Sequence, residues 1–336
     1  MRETPPAVPL GFSGETRFNG AMTAVLECAH LVRNFGDLRA VDDVSISVAP
    51  GETYGLLGPN GAGKTTTISM ICGLLTPNSG TVHVLGQPIS PAASAAKAAI
   101  GLVPQDIALY PDLSARENLV FFGRLQGLSG PALDSRIDEV LEVVGLRDRA
   151  KDRIETYSGG MKRRANIAVG MLHSPRLLVL DEPTVGVDPQ SRNSILESVA
   201  ALGSSGMAVL YTTHYMEEAE RICDRIGIID AGRLIAEGTR AELVSGLGTA
   251  SAVAVRAGGG GPALEAWRAD LAALPGVTVE ATDAGANLTC ADSSATVAVA
   301  FQRASTHRVS ITGIEVTVPD LEAVFLQLTG KALRDD

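Results

Sequence analysis

The chain has 336 residues, 45% of them hydrophobic, enough for one large domain with a small one or for two ordinary ones. Its formal charge of −10 argues against nucleic acid as a partner, since phosphate contacts draw on a basic surface. No apolar run reaches the roughly 18 residues of a membrane span, and the opening MRETPPAVPL lacks the basic-then-apolar order of a secretory signal. Cys28, Cys72, Cys223 and Cys290 lie scattered, without the spacing of metal ligands, so reduced thiols and no structural zinc are expected.

Residues 1–23 carry Pro, Gly and Thr without periodicity and read as a disordered leader, with Met22 an alternative start. Val25–Leu31, Val44–Val48 and Thr53–Leu57 read as strands, with turns at Asn34–Asp37 and Ala49–Gly51, and Thr81–Leu85 follows as a fourth. Strands so close together imply a mostly antiparallel layer. After a short strand at Ile100–Gln105, the apolar spacing of Leu113–Leu128 and Ile137–Val144 predicts a helical insert. Pro175–Leu180, Ala208–Thr213 and Ile226–Asp230 are continuous apolar runs, as strands are when a parallel sheet is covered on both faces. Residues 24–245 thus form one α/β domain and 246–250 a linker. In residues 251–330 the order is strand, helix, strand, strand, helix, strand, an α+β accessory domain closed by an amphipathic helix at Leu321–Leu328, with 331–336 a tail.

The stretch TYGLLGPNGAGKTTTISMICGLL, Thr53–Leu75, organises the chemistry. A short apolar strand turns through Gly58, Pro59, Asn60, Gly61, Ala62 and Gly63 and enters a helix at Lys64, Thr65 and Thr66. The bland alternative is a Gly-rich turn that caps a helix. G-x-x-x-x-G-K-T between strand and helix is instead the pattern of a phosphate cradle. The glycines bring backbone N–H groups against phosphate, and the helix N-terminus adds partial positive charge. Lys64 would reach the β- and γ-phosphates and the Thr65 hydroxyl would meet Mg²⁺.

Strand 177–180 delivers Asp181 and Glu182 at its C-terminal end, the edge where ligands bind in open α/β sheets. An acidic pair there can be mere solvated surface; beside a phosphate cradle, the first carboxylate suits Mg²⁺ and the second suits deprotonation of an attacking water. Gln105 and His214 end neighbouring strands, placing an amide near Mg²⁺ or the lytic water and an imidazole donor near the γ-phosphate. Tyr157-Ser158-Gly159-Gly160-Met161 opens another helix, with Ser158 as N-cap and two glycines leaving N–H groups uncovered. It reads either as an ordinary capped helix or as a second anion cradle. One chain needs only one cradle per nucleotide, so the second makes sense if it closes over nucleotide held by another copy, head to tail.

Together these residues resemble the ATP-binding cassette (ABC) family over residues 24–245: Walker A (Gly58–Thr66), Q-loop (Gln105), signature (Tyr157–Met161), Walker B (Leu177–Pro183), D-loop (Val185–Asp188) and switch histidine (His214). The resemblance implies an ATPase with a parallel core sheet, an antiparallel β layer and a helical insert. It implies Glu182 as general base, with His214 and Gln105 assisting, and Thr65, Gln105 and Asp181 toward Mg²⁺. Phe35 would stack on adenine, while Ser158, Gly159, Gly160 and Asp188 would meet the opposite subunit's nucleotide. Tyr157, Met161 and Val187 depart from the family's usual Leu, Gln and Leu, and Met161 removes a polar contact at the signature.

YSGGMKRR and DLEAVFLQLTG resemble the daunorubicin-resistance type of drug-exporter ATPase. That likeness implies two copies beneath a separate permease of the ABC-2 kind, at the cytoplasmic face of the membrane. Alternatives within the family are an importer ATPase and a soluble factor in translation or DNA repair. A single P-loop, fewer than about a hundred residues between Thr66 and Ser158, and the acidic charge disfavour the soluble factors.

Overall fold

Two residues, Gly36 and Asp37, reverse the chain between β1 (Leu26–Phe35) and β2 (Leu38–Val48). The turn expected over Asn34–Asp37 is therefore tighter: Asn34 pairs with Arg39 and Phe35 with Leu38, and Gly36 takes the φ of 58° that lets the strands meet so closely. This structure, a computed structural model, describes residues 24–246, 251–258, 261–317 and 320–329. The leader 1–23, the tail 331–336 and linker residues 247–250 lie outside the described residues. The described chain divides into two compact units between Arg240 and Ala241, ahead of the expected linker.

In the first unit, β3 (Thr53–Leu57) leads through the Gly-rich turn into α1 (Lys64–Ile71). β4 (Ser79–Val84) and the two-residue β5 (Gln87–Pro88) complete an antiparallel sheet of order β2-β1-β4-β5, the expected antiparallel layer. After the single turn α2 (Ser94–Lys97) comes β6 (Ile100–Val103). The helical insert follows as α3 (Ala115–Leu125) and α4 (Gly130–Val143). Ser114 and Glu117 start α3 as a capping box, each side chain bonding the other's backbone N–H.

α5 (Gly159–Met171), β7 (Leu177–Asp181), α6 (Pro189–Ser204) and β8 (Ala208–Thr213) come next. α7 (Met216–Ile222), β9 (Arg225–Asp230) and β10 (Arg233–Gly238) end the unit. The second sheet has the order β10-β9-β3-β8-β7-β6, parallel except for β10. β3, β7 and β8 are buried at every position, as their unbroken apolar runs predict. Their side chains alternate between two cores. Leu178, Leu180, Val209 and Tyr211 join the helical side, while Leu177, Val179, Ala208 and Leu210 join the side built on β1, β2 and α1.

Helices α6 and α7 are absent from the sequence reading. The signal for α6 was present in Asp188-Pro189, an N-cap followed by proline at the first helical position.

The second unit starts within α8 (Arg240–Gly246) and holds β11 (Ser251–Gly258), α9 (Pro262–Ala272), β12 (Val277–Thr282), β13 (Gly285–Cys290), α10 (Ser293–His307) and β14 (Ser310–Thr317), followed by α11 (Leu321–Thr329). The βαββαβ order is as read from sequence. Every pairing is antiparallel, in the order β12-β13-β11-β14. Its core gathers Val253, Val255 and Leu288 from the sheet with Leu264, Trp267 and Ala300 from the helices, and Trp267 donates its indole N–H to the Ala300 carbonyl at 3.2 Å. Among the described residues no helix is long and apolar enough to cross a membrane.

Candidate nucleotide site

The parallel strands bring four sequence segments to one edge. The turn after β3, Gln105 beyond β6, Asp181 and Glu182 at the end of β7, and His214 after β8 all meet there because β3, β8, β7 and β6 are consecutive neighbours. A cavity of about 770 Å³ opens at this edge. Asn60, Gly61, Gly63, Lys64, Thr65 and Thr66 line it together with Phe35, Gln105, Glu182 and His214. Val185, the first residue of the D-loop stretch, and Leu38, Ala40 and Tyr215, which no sequence motif marked, complete the wall.

Backbone geometry explains the glycines of the turn. Gly63 has φ 104°, and a Cβ there would lie 2.5 Å from the Ala40 carbonyl oxygen; one on Gly58 would lie 2.2 Å from that of Ile229. Each position admits only hydrogen, which draws β2 and β9 tight against the turn. Lys64 is 4% exposed, and its ammonium donates to the carbonyls of Gly58 at 2.7 Å and Pro59 at 3.0 Å. It also meets Glu182 Oε1 at 3.0 Å. The lysine is thus held inside the cavity by its own loop and by the expected general base.

Glu182 is 6% exposed and takes φ 45°, a left-handed conformation disfavoured for any residue but glycine. Its amide donates to Thr212 Oγ1 at 3.0 Å, and that hydroxyl donates to Asp181 Oδ1 at 2.8 Å. One buried threonine therefore fixes both acidic residues. Gln105 Nε2 and His214 Nδ1 each stand 3.5 Å from Glu182 Oε2. The residues picked from separate stretches of sequence converge on one carboxylate.

Phe35 is 46% exposed on the cavity wall, with the Arg33 guanidinium 4.8 Å from its ring centre. Asp181 is buried behind the lining, and Gly58, Pro59 and Ala62 form the back of the turn. Ser158, Gly159, Gly160 and Asp188 are not among the residues that line this cavity. Ser158 caps α5 by accepting from the Met161 amide at 3.2 Å. Asp188 caps α6 by accepting from the Ser191 amide at 3.0 Å, and those hydrogen bonds hold its carboxyl below the usual aspartate range. Tyr157, one of the signature departures, points inward and donates its hydroxyl to the Arg149 carbonyl at 2.7 Å.

One buried side chain that braces the cavity wall escaped the sequence reading. Arg163, on α5 and 6% exposed, donates to the carbonyls of Gln105 and Pro104, the latter at 3.3 Å, and reaches that of Val185 at 3.5 Å. It joins the signature helix to two segments of the cavity wall. Burial pulls its guanidinium below the usual arginine range. Its position in the run MKRR offers no hint of this, because Lys162, Arg163 and Arg164 look alike until the helix is packed.

Comparison with known proteins agrees with this geometry. The profile described as "ABC transporter" matches residues 41–185. The linearmycin resistance ATP-binding protein LnrL of Bacillus subtilis is 47% identical over 311 residues, spanning 93% of this chain and 100% of that protein. The chain belongs to the ABC transporter ATP-binding family. Another ABC relative, the Nod factor export ATP-binding protein I of Paraburkholderia xenovorans, is 40% identical over 318 residues, 93% of this chain and 99% of the other. A solved ATP-binding subunit of an ABC transporter shares 31% identity with a TM-score of 0.60, covering 67% of this chain and 93% of that one. The protein is an ABC ATPase that binds ATP, with relatives named for antibiotic resistance and for export.

Proposed function

We propose that this ABC protein is the energy-coupling subunit of an exporter for hydrophobic or antibiotic-like compounds. It would work as a head-to-tail homodimer beneath a separate ABC-2-type permease at the cytoplasmic face of the membrane. The observation that carries the reading is similarity along nearly the whole chain, second unit included, to a linearmycin resistance protein and a Nod factor export protein. Shared cassettes alone would say less, because folds host many functions.

In this reading Lys64 and the N–H groups of the turn hold the β- and γ-phosphates, and Phe35 stacks on adenine. Thr65, Gln105 and Asp181 offer hydroxyl, amide and carboxylate oxygens, the hard donors that Mg²⁺ takes. Bound with ATP, the ion supplies positive charge at the phosphates. Lys64 must leave Glu182 for phosphate, and Glu182, freed, becomes the base for the attacking water while His214 donates to the γ-phosphate. Ser158, Gly159, Gly160 and Asp188 of one copy would close on the nucleotide of the other. The permease would sit on the helical insert, where Phe121 and the exposed Leu125 line a groove of about 690 Å³ beside Arg116, Arg124 and Lys151.

Glu182→Gln tests the reading. Tagged variant purified from native membranes with ATP should carry a stoichiometric multispan protein, bind ATP, and persist as a dimer without turnover. Ribosomes, repair factors or a purely soluble dimer in its place would overturn the exporter assignment. Wild-type turnover would overturn the role of Glu182.

A further inference from the structure

Glu218 is 2% exposed, lies outside the cavity lining, and carries a carboxylate that the proposed chemistry leaves unused. Burial of such a group demands partners. Its Oε2 accepts from Thr213 Oγ1 at 2.7 Å and Tyr211 Oη at 2.9 Å. With its proton committed to Glu218, the Thr213 hydroxyl accepts from the amide of Tyr215 at 2.9 Å. His214 lies between Thr213 and Tyr215, so this relay sets the backbone on both sides of the imidazole.

The other carboxylate oxygen faces α6. Arg192 Nε lies 3.5 Å from Glu218 Oε1, and the same guanidinium covers the Tyr215 ring at 4.4 Å. Tyr215 in turn stands against His214, ring centres 4.1 Å apart. Arg192 follows Ser191, the residue against which Gly160 of the signature helix packs so closely that a Cβ would lie 2.1 Å from Ser191 Cβ. The first turn of α6 therefore touches the signature corner through one residue and the histidine loop through the next.

We infer that Glu218 and Arg192 are positioning residues that hold His214 in register with α6, so that docking at the signature corner sets the histidine for the γ-phosphate. The inference rests on the proposed role of His214. Glutamine at 218 keeps the shape and can still accept from both hydroxyls. Its NH₂, however, turns a donor toward the donors of Arg192 and breaks the link. Arg192→Ala breaks the same link from a side chain that is 30% exposed, while Glu218 keeps the hydroxyl donors of Tyr211 and Thr213.

The test is steady-state ATP hydrolysis by the full chain, with its membrane partner where one co-purifies. The variants are Glu218→Gln, Arg192→Ala, His214→Ala and each double with His214→Ala. Expected are a drop in kcat of about tenfold for the first two and a KM for ATP within about twofold of wild type. Neither should reduce the rate further once His214 is alanine, and Arg192→Lys, which keeps the charge, should restore part of the rate. Full additive losses in the doubles would overturn the link while leaving the role of His214 standing. Wild-type rates in Glu218→Gln and Arg192→Ala would also overturn it. A wild-type rate in His214→Ala would remove the proposed role of His214 and the link with it. If Glu218→Gln fails to fold, the Arg192 pair of variants decides alone.

Discussion

Two helix N-termini in this chain carry the same ingredients and reach opposite states. At α1, the turn before the helix is walled by β2 and β9, Lys64 is buried, and Glu182 closes the ring of contacts. At α5, Ser158 caps the helix, a Cβ on Gly159 would meet nothing within 4 Å, and Gly160 is pressed against Ser191. The first end is a finished cavity; the second is a rigid corner with one open face. Glycine serves backbone approach within the chain at Gly58, Gly63 and Gly160, and open access at Gly159. The same residue type thus serves close packing at one end and an uncovered face at the other.

The largest effect should come from breaking the finished end. Lys64→Met leaves Glu182 buried without its cation, which should destabilise the first unit by about 3 kcal/mol and abolish ATP binding. Adding Glu182→Gln removes the second charge and should recover most of the thermal midpoint, with hydrolysis still absent. A double variant no more stable than Lys64→Met would mean that the pair contributes little and that the turn itself holds the site.

The glycine pair at α5 sharpens the contrast. Gly160→Ala should destabilise by about 1–3 kcal/mol through overpacking on Ser191, and Ser191→Gly should reverse most of that loss. Gly159→Ala should leave the melting curve unchanged, since the space is open and alanine favours helix. In the proposed head-to-tail dimer it should nonetheless slow ATP hydrolysis, because a methyl would stand between the N–H groups and the second copy's phosphate. Equal hydrolysis by Gly159→Ala and wild type would remove the open end from the catalytic cycle.

What the sequence disclosed follows the same division. Contacts fixed by local pattern were legible: the strand–turn–helix at Thr53–Leu75, Glu182 at a strand end, the cap at Ser158. The βαββαβ order of the second unit was readable too, since each element has its own period. Contacts fixed by packing of distant segments were not. Tyr215 and Leu38 reach the cavity, and Arg163 reaches the backbone of its wall, only once the β8–α7 turn, the β1–β2 hairpin and α5 are assembled, and the closing of Lys64 on Glu182 joins the start of α1 to the end of β7. Helix α6 is the intermediate case: its start was written in Asp188-Pro189, but with Asp188 read as a ligand residue its capping role went unnoticed.

Asp188, a helix cap that is also proposed to meet the second copy's nucleotide, gives the smallest and most discriminating effect. Its carboxyl sits below the ordinary aspartate value of 3.8 because the Ser191 amide donates to it. A carboxyl that is more acidic when folded contributes stability fully above its unfolded value and loses it as pH falls through the lower folded one. Asparagine caps a helix as well as aspartate does, so Asp188→Asn should melt like wild type near neutral pH. Below about pH 4 the wild type should lose stability more steeply than the variant, in paired melting curves across that range. ATP hydrolysis near neutral pH then separates the two duties. A several-fold loss at unchanged melting temperature would place Asp188 at the second copy's nucleotide, as the open corner at α5 leads one to expect. Unchanged hydrolysis would confine Asp188 to its own helix, leaving Ser158 and Gly159 to carry the proposed contact with a second copy.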